Sequence, residues 1–214
     1  MSRPLIITDC DEVLLHMVAH FRDWLAESQG VEFRMKHNDF TDSMTWIDGG
    51  GTVPAADVWR LLNAFFDTEM ARQTAVKGAI EGITELQRHA DVVVLTNLLD
   101  FRRNSRKAQL AAFGLDLPIY TNQGPKGPAL KAILDEYQPE RAIFIDDLSQ
   151  HHGSVAEVTP HVTRLHLCAE PVLAPHIACA FKAGHAHARI DDWAEALPWL
   201  LAKLNDDQKD FADS

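Results

Sequence analysis

Apolar positions along this chain gather in three short runs without polar alternation, "PLIITD" (4–9), "ADVVVLTN" (90–97) and "RAIFIDD" (141–147). Such runs are the mark of strands buried on both faces, as in a parallel sheet. Elsewhere the apolar spacing turns helical. "EGITELQRHA" aligns Gly82, Ile83 and Leu86, "NSRKAQLAAFGL" ends at Gly114 as a C-cap, and "GPALKAILDEYQP" aligns Leu130, Ile133 and Leu134 before Pro139 stops it. Helices alternating with buried strands supply the crossovers of a layered α/β fold. "TRLHLC" predicts a further strand, and "DDWAEALPWLLAKL" a closing helix capped near Asp191.

The stretch between the first two runs is too long for one crossover. "MVAHFRDWLAESQG" carries Val18, Phe21 and Leu25 at helical spacing and ends at Gly30; "AADVWRLLNAFFDTEM" carries Val58, Leu61, Leu62 and Phe65. "DGGGTVP" separates them as a flexible break. The expected organisation is a core of residues 1–14 and 76–205, a helical cap over 15–75 inserted after the first strand, and a frayed tail over 206–214.

Composition leaves this picture in place and narrows the function. The chain has 214 residues, 46% hydrophobic and 24% charged, enough for a substantial core and one insertion. A net charge of −11 argues against a nucleic-acid polymer as partner but allows a small anion screened by a local cation. Three cysteines, Cys10, Cys168 and Cys179, have no C-x-x-C spacing and fit a reducing compartment. With no basic leader and no apolar run of membrane length, the expectation is a cytoplasmic protein with no membrane partner.

Chemistry collects where the apolar runs end. Asp9 and Asp11 close the first, Thr96 and Asn97 the second, and Asp146 and Asp147 the third. In open parallel sheets the carboxyl ends of the strands share one rim, where ligands bind. The Asp9-x-Asp11 pair, projected to one side by strand periodicity, fits a metal site, a catalytic dyad, or two carboxylates diverging in a turn. Oxygen donors in this number favour magnesium over zinc. Lys126, between Pro125 and Gly127 at the mouth of a helix, would neutralise carboxylates and a bound phosphate. Lys107 and Lys131 read as helix-surface residues.

An Asp-x-Asp strand end, a Thr ending a second strand, then a Lys about twenty residues before an Asp-Asp strand end: in this order the motifs resemble the haloacid dehalogenase-like superfamily of phosphohydrolases, over about residues 5–155. The resemblance implies an α/β three-layer sandwich with a parallel Rossmann-like sheet and a small helical cap. It implies Asp9 as the nucleophile that forms an aspartyl-phosphate, Asp11 as general acid and base, and Thr96 with the Asn97 amide on the phosphoryl oxygens. Lys126 would fix nucleophile and phosphate. Magnesium would be held by Asp9, Asp147 and the Asp11 carbonyl, with Asp146 beside them. The implied substrate is a small phosphorylated metabolite, hydrolysed by a phosphatase; a phosphotransferase or a non-catalytic phosphate binder would share these residues.

The sequence departs from the family in two places. Glu12 and Val13 stand where Gly and Thr are usual, adding a carboxylate near the site, and "DDLSQHHGSV" lacks a further aspartate. The exit of the cap, "NAFFDTEM" then "VKGAIEGI", is similar to that of the 5'(3')-deoxyribonucleotidases. Trp46, Trp59, Phe65 and Phe66 have the shape to stack on a base, though aromatics at this spacing more often form core. His151 and His152 read as helix-start or phosphate-adjacent residues rather than metal ligands. His176, His185 and His187, in "HIACAFKAGHAHAR", read as surface rather than as a metal set.

Overall fold

The computed structural model describes residues 2–35 and 40–205. The expected tail over 206–214 lies outside the described residues.

Six parallel strands form one sheet: β1 (Leu5–Thr8), β6 (Asp91–Thr96), β7 (Ile119–Thr121), β8 (Ala142–Asp146), β9 (Thr163–His166) and β10 (Ala188–Arg189), in the order β10-β9-β8-β1-β6-β7. β1 lies centrally, with Thr8 opposite Val94 of β6 and Ile145 of β8. Strand periodicity divides the apolar runs between two cores. Ile6, Val92, Val94, Ile143 and Ile145 face one core. Leu5, Ile7, Val93, Leu95 and Phe144 face the other. The first core is covered by α3 (Ala79–Leu86), α4 (Arg103–Ala112) and α7 (Trp193–Asn205), through Ile83, Leu86, Leu110, Trp193 and Leu200. The second is covered by α5 (Gly127–Tyr137) and α6 (Ser149–Val158), through Leu130, Ile133 and Val155. Each fully buried Leu or Ile contributes roughly 1.5–3 kcal/mol. This is the three-layer α/β sandwich expected, and β7 and β10 are short edge strands that the apolar pattern does not mark.

The helical cap between β1 and α3 begins with β2 (Leu15–His16) and ends with β5 (Thr74–Ala75), which pair antiparallel and bring its two ends together. Inside it lie α1 (Val18–Trp24), continued by a wider turn over 25–29 that stops at Gly30 (φ 64°), and α2 (Ala55–Thr68). The cap also holds an antiparallel ribbon, β3 (Val31–Phe33) with β4 (Met44–Trp46), missing from the helical expectation because its strands are too short to show periodicity. "DGGGTVP" is a turn rather than an open break. Gly49 and Gly51 take φ of 79° and 77°, the Trp46 N–H donates to the Gly51 carbonyl at 3.0 Å, and Thr45 bridges Thr52. Phe21, Trp24, Leu61, Phe65 and Phe66 build a third core here.

Asp192, beside Asp191, caps α7, accepting the N–H of Ala194 at 2.6 Å and of Glu195 at 3.3 Å. Asp191 instead accepts the N–H of Cys168 at 3.1 Å. No helix among the described residues is long and apolar enough to cross a membrane.

Candidate active site

The three strand ends meet around one ammonium. Lys126 is fully buried at the start of α5, with Nζ 2.9 Å from Asp9 Oδ1 and 2.7 Å from Asp146 Oδ2. Its placement depends on the next residue. A Cβ on Gly127 would stand 2.3 Å from the Ser154 carbonyl oxygen, so only glycine lets α5 approach α6 this closely, and the Gly127 N–H donates to Ser154 Oγ at 3.0 Å. Asp9 Oδ1 also accepts the Cys10 N–H at 2.7 Å, and Asp146 Oδ1 accepts the Leu148 N–H at 2.9 Å.

Asp9, Asp146 and Asp147 are all buried, and their carboxylate oxygens come within 4.8 Å of one another. One lysine faces three acids. Burial, only partly countered by Lys126, pushes Asp9 up to about 7. Burial and the charges of Asp146, Asp9 and Glu12 drive Asp147 well above the usual carboxylate range. Burial would also raise Asp146, but Lys126, His151 and His152 hold it below that range. Burial opposes the Lys126 charge, while Asp146 and Asp9 raise it above an ordinary lysine. Excess buried negative charge on hard oxygen donors fits a divalent cation, for which Asp9, Asp146 and Asp147 would be the ligands.

Asp11 is not in this cluster. The strand ends at Thr8, and beyond it the two carboxylates diverge, the third of the alternatives open to the Asp-x-Asp pair. Both Asp11 oxygens accept from Arg106 Nη2 at 2.9 Å, and Oδ1 accepts from Gln73 Nε2 at 2.6 Å. Arg106, on α4, is fully buried, and its Nη1 donates to Gln73 Oε1 at 3.0 Å and Gln109 Oε1 at 2.9 Å. Burial opposes its charge, but Asp11 keeps it above an ordinary arginine. Gln73 belongs to the chain leaving the cap, so the grip on Asp11 comes from both core and cap. Sequence reasoning missed Arg106 and Gln73, which lie 95 and 62 residues from Asp11.

Thr96 is buried at the end of β6. The Asn97 side chain serves its loop: Nδ2 donates to the Gly124 carbonyl at 2.9 Å, and Oδ1 accepts from Asn122 at 2.8 Å. His152, in the first turn of α6 as its sequence suggests, is fully buried with Nε2 3.0 Å from the Asp146 carbonyl. His166 accepts the Ala180 N–H at Nδ1, which leaves Nε2–H to donate to the Asp147 carbonyl at 2.8 Å. The two rings pack at 5.3 Å and support the backbone that carries the acids. Trp193 Nε1 donates to the Val13 carbonyl at 2.8 Å and anchors the turn after β1.

The aromatic candidates divide. Phe65 is cap core against Phe21 and Trp24, and Phe66 lies under the guanidinium groups of Arg102 (6.0 Å) and Arg106 (5.8 Å), neither in a position open to a base. Trp59 is exposed, and Trp46 packs beside Gly50. His176, His185 and His187 do not come together as metal ligands; His187 Nδ1 accepts the Arg164 N–H at 2.9 Å.

No protein-family model matches the chain, and no curated protein matches its sequence. Solved structures do. A haloacid dehalogenase-like hydrolase from Streptococcus pneumoniae aligns with a TM-score of 0.65 at 12% identity, over 92% of this chain and 98% of that one. A haloacid dehalogenase-like protein of Agrobacterium tumefaciens aligns at 0.65 and 16%, over 94% and 99%. A hydrolase of the same family from Deinococcus radiodurans, with bound phosphate and sodium, aligns at 0.64 and 19%, over 95% and 96%. The chain thus has the haloacid dehalogenase-like fold, cap included.

Proposed function

We propose that the protein is a magnesium-dependent phosphatase that hydrolyses a small phosphomonoester through an aspartyl-phosphate on Asp9. The observation that carries this reading is the Lys126 ammonium shared between Asp9 and Asp146 at the strand ends, with Asp147 beside them. Phosphate bound to the Deinococcus protein of the same fold supports the substrate class.

An Asp9 oxygen attacks phosphorus, the bond to the leaving oxygen breaks, and Asp11 gives that oxygen a proton. Water then attacks the acyl phosphate, Asp11 takes the water's proton, and phosphate departs with Asp9 restored. Lys126 orients Asp9 and offsets the charge of the incoming phosphoryl group, with the Thr96 hydroxyl on an equatorial oxygen. The bound cation would supply further charge neutralisation for the phosphoryl oxygens. To move protons, Asp11 must turn at least one oxygen away from Arg106, and release of Gln73 by movement of the cap is the simplest route.

The full engagement of Asp11 with Arg106 and Gln73 also favours a second reading, a phosphate binder without turnover. A generic phosphomonoester assay with and without magnesium separates the two. The phosphatase reading expects free phosphate that depends on magnesium and is lost in Asp9→Asn; binding of phosphate without release from any ester supports the second.

A further inference from the structure

The turn after β1 carries a second polar cluster that phosphoryl chemistry does not use. Glu12 holds a left-handed backbone, φ 60°, a conformation that costs a non-glycine residue roughly 1–3 kcal/mol. Its side chain is engaged at one oxygen only. Oε1 accepts the N–H of Met17 at 2.9 Å and of Val18 at 2.6 Å, while Oε2 is buried without a hydrogen-bond partner in a residue 2% exposed. That oxygen faces His16 Nδ1 at 4.0 Å, and His16 Nδ1 is likewise buried and unpartnered by a hydrogen bond. Glu170, from the loop after β9, brings its Oε2 to 3.3 Å from the same nitrogen, while its Oε1 accepts the Val172 N–H at 3.1 Å. Ligand atoms of the three residues lie within 4.8 Å of one another, and the set shares no residue with the Asp9 cluster.

We propose that Glu12, His16 and Glu170 bind a divalent transition-metal ion of the zinc class. Leaving Glu12 Oε2 unpaired would cost about 1–3 kcal/mol, more if it is charged. A proton on His16 Nδ1 serves one oxygen, and Glu170 is the nearer; a cation among the three atoms satisfies both carboxylates and the imidazole together. Ligands at 2.0–2.2 Å from a tetrahedral ion stand about 3.4 Å apart. The separations of 3.3 and 4.0 Å bracket that value. An imidazole nitrogen with two carboxylate oxygens suits a borderline ion, in contrast to the all-oxygen magnesium set next to it. With His16 side chain 24% exposed, solvent can fill a fourth position. The ion would join the turn after β1, the start of the cap and the β9 loop, so its binding stabilises the fold by mass action.

The test reads metal rather than turnover, so it stands whether or not the phosphatase reading does. Asp147→Asn protein, with the oxygen cluster weakened, is stripped with chelator and dialysed against zinc. One zinc per chain is expected by elemental analysis, with one imidazole in its X-ray absorption shell and a raised melting temperature. His16→Gln in the same background should weaken zinc binding by more than about a hundredfold, beyond the roughly 10–100-fold that loss of an outer-shell partner costs, and remove the imidazole signal. Glu170→Gln should weaken it likewise without touching the Glu12 helix contacts, and serves if the His16 variant fails to fold. Zinc uptake unaltered in a folded His16→Gln or Glu170→Gln protein, a shell of oxygen alone, or no uptake by Asp147→Asn protein overturns the proposal.

Discussion

Asp9 and Asp11 stand one residue apart, yet each faces its own buried cation, and the two surroundings differ in balance. Around Asp9, three carboxylates gather beside one lysine that pairs with two of them, all from the sheet ends and the start of α5, and negative charge is left over. Around Asp11, one carboxylate meets one arginine through both oxygens, with Gln73 from the cap exit completing the contact. A cluster with surplus charge has room for a further cation. A balanced pair holds its carboxylate still, and the cap shares in holding it. On the phosphatase proposal, attack would fall to the carboxylate held within the core and proton transfer to the one that the cap also holds.

Substitutions on either side separate the two surroundings. Asp9→Asn would remove the proposed nucleophile while keeping its shape, and turnover should fall by about four orders of magnitude or more in a protein with an unchanged circular dichroism spectrum. Lys126→Met leaves Asp9 and Asp146 without their counter-charge, so besides losing activity it should lower stability by about 3–5 kcal/mol in urea titration. Magnesium in excess would recover part of that stability, because it neutralises the same acids. Phe66→Ala tests the seam between cap and core, and a loss of about 3 kcal/mol is expected from the side chain removed beneath Arg102 and Arg106. Arg106→Met should cut kcat by about 10²-fold with little change in KM, the low end of what general acid-base catalysis contributes. Gln73→Ala, which loosens only the cap-side contact, should change kcat less than about tenfold, near the worth of a single hydrogen bond. Equal losses in the last two variants would mean that the cap sets the position of Asp11 as much as α4 does.

The sheet was legible because its strands are buried on both faces, which turns them into unbroken apolar runs such as "ADVVVLTN". Helices α3, α5 and α7 were legible from their apolar spacing, and Gly114, at φ 86°, stands past the end of α4 as its sequence suggested. The short strands were not, since two or three residues carry no period: β7, β10 and the β3–β4 ribbon appear only through their partners. The Asp9, Lys126, Asp146 and Asp147 cluster could be anticipated because parallel strands deliver their C-terminal ends to one rim. Arg106 could not, as "NSRKAQL" reads as a solvated helix face, and only packing under the cap buries it. Glu12 was visible as a departure, but its meeting with Glu170 depends on a loop 158 positions further along the chain.

The phosphatase proposal requires Asp9 to become covalently phosphorylated. The direct measurement is to quench the protein in acid during turnover of a phosphomonoester with magnesium, reduce the acyl phosphate with borohydride, and sequence the peptides by mass spectrometry. Conversion of Asp9 to homoserine, absent without substrate, is the predicted result. Phosphate release with Asp9 unmodified under conditions that trap a known acyl phosphate, or modification at another residue, would contradict the account.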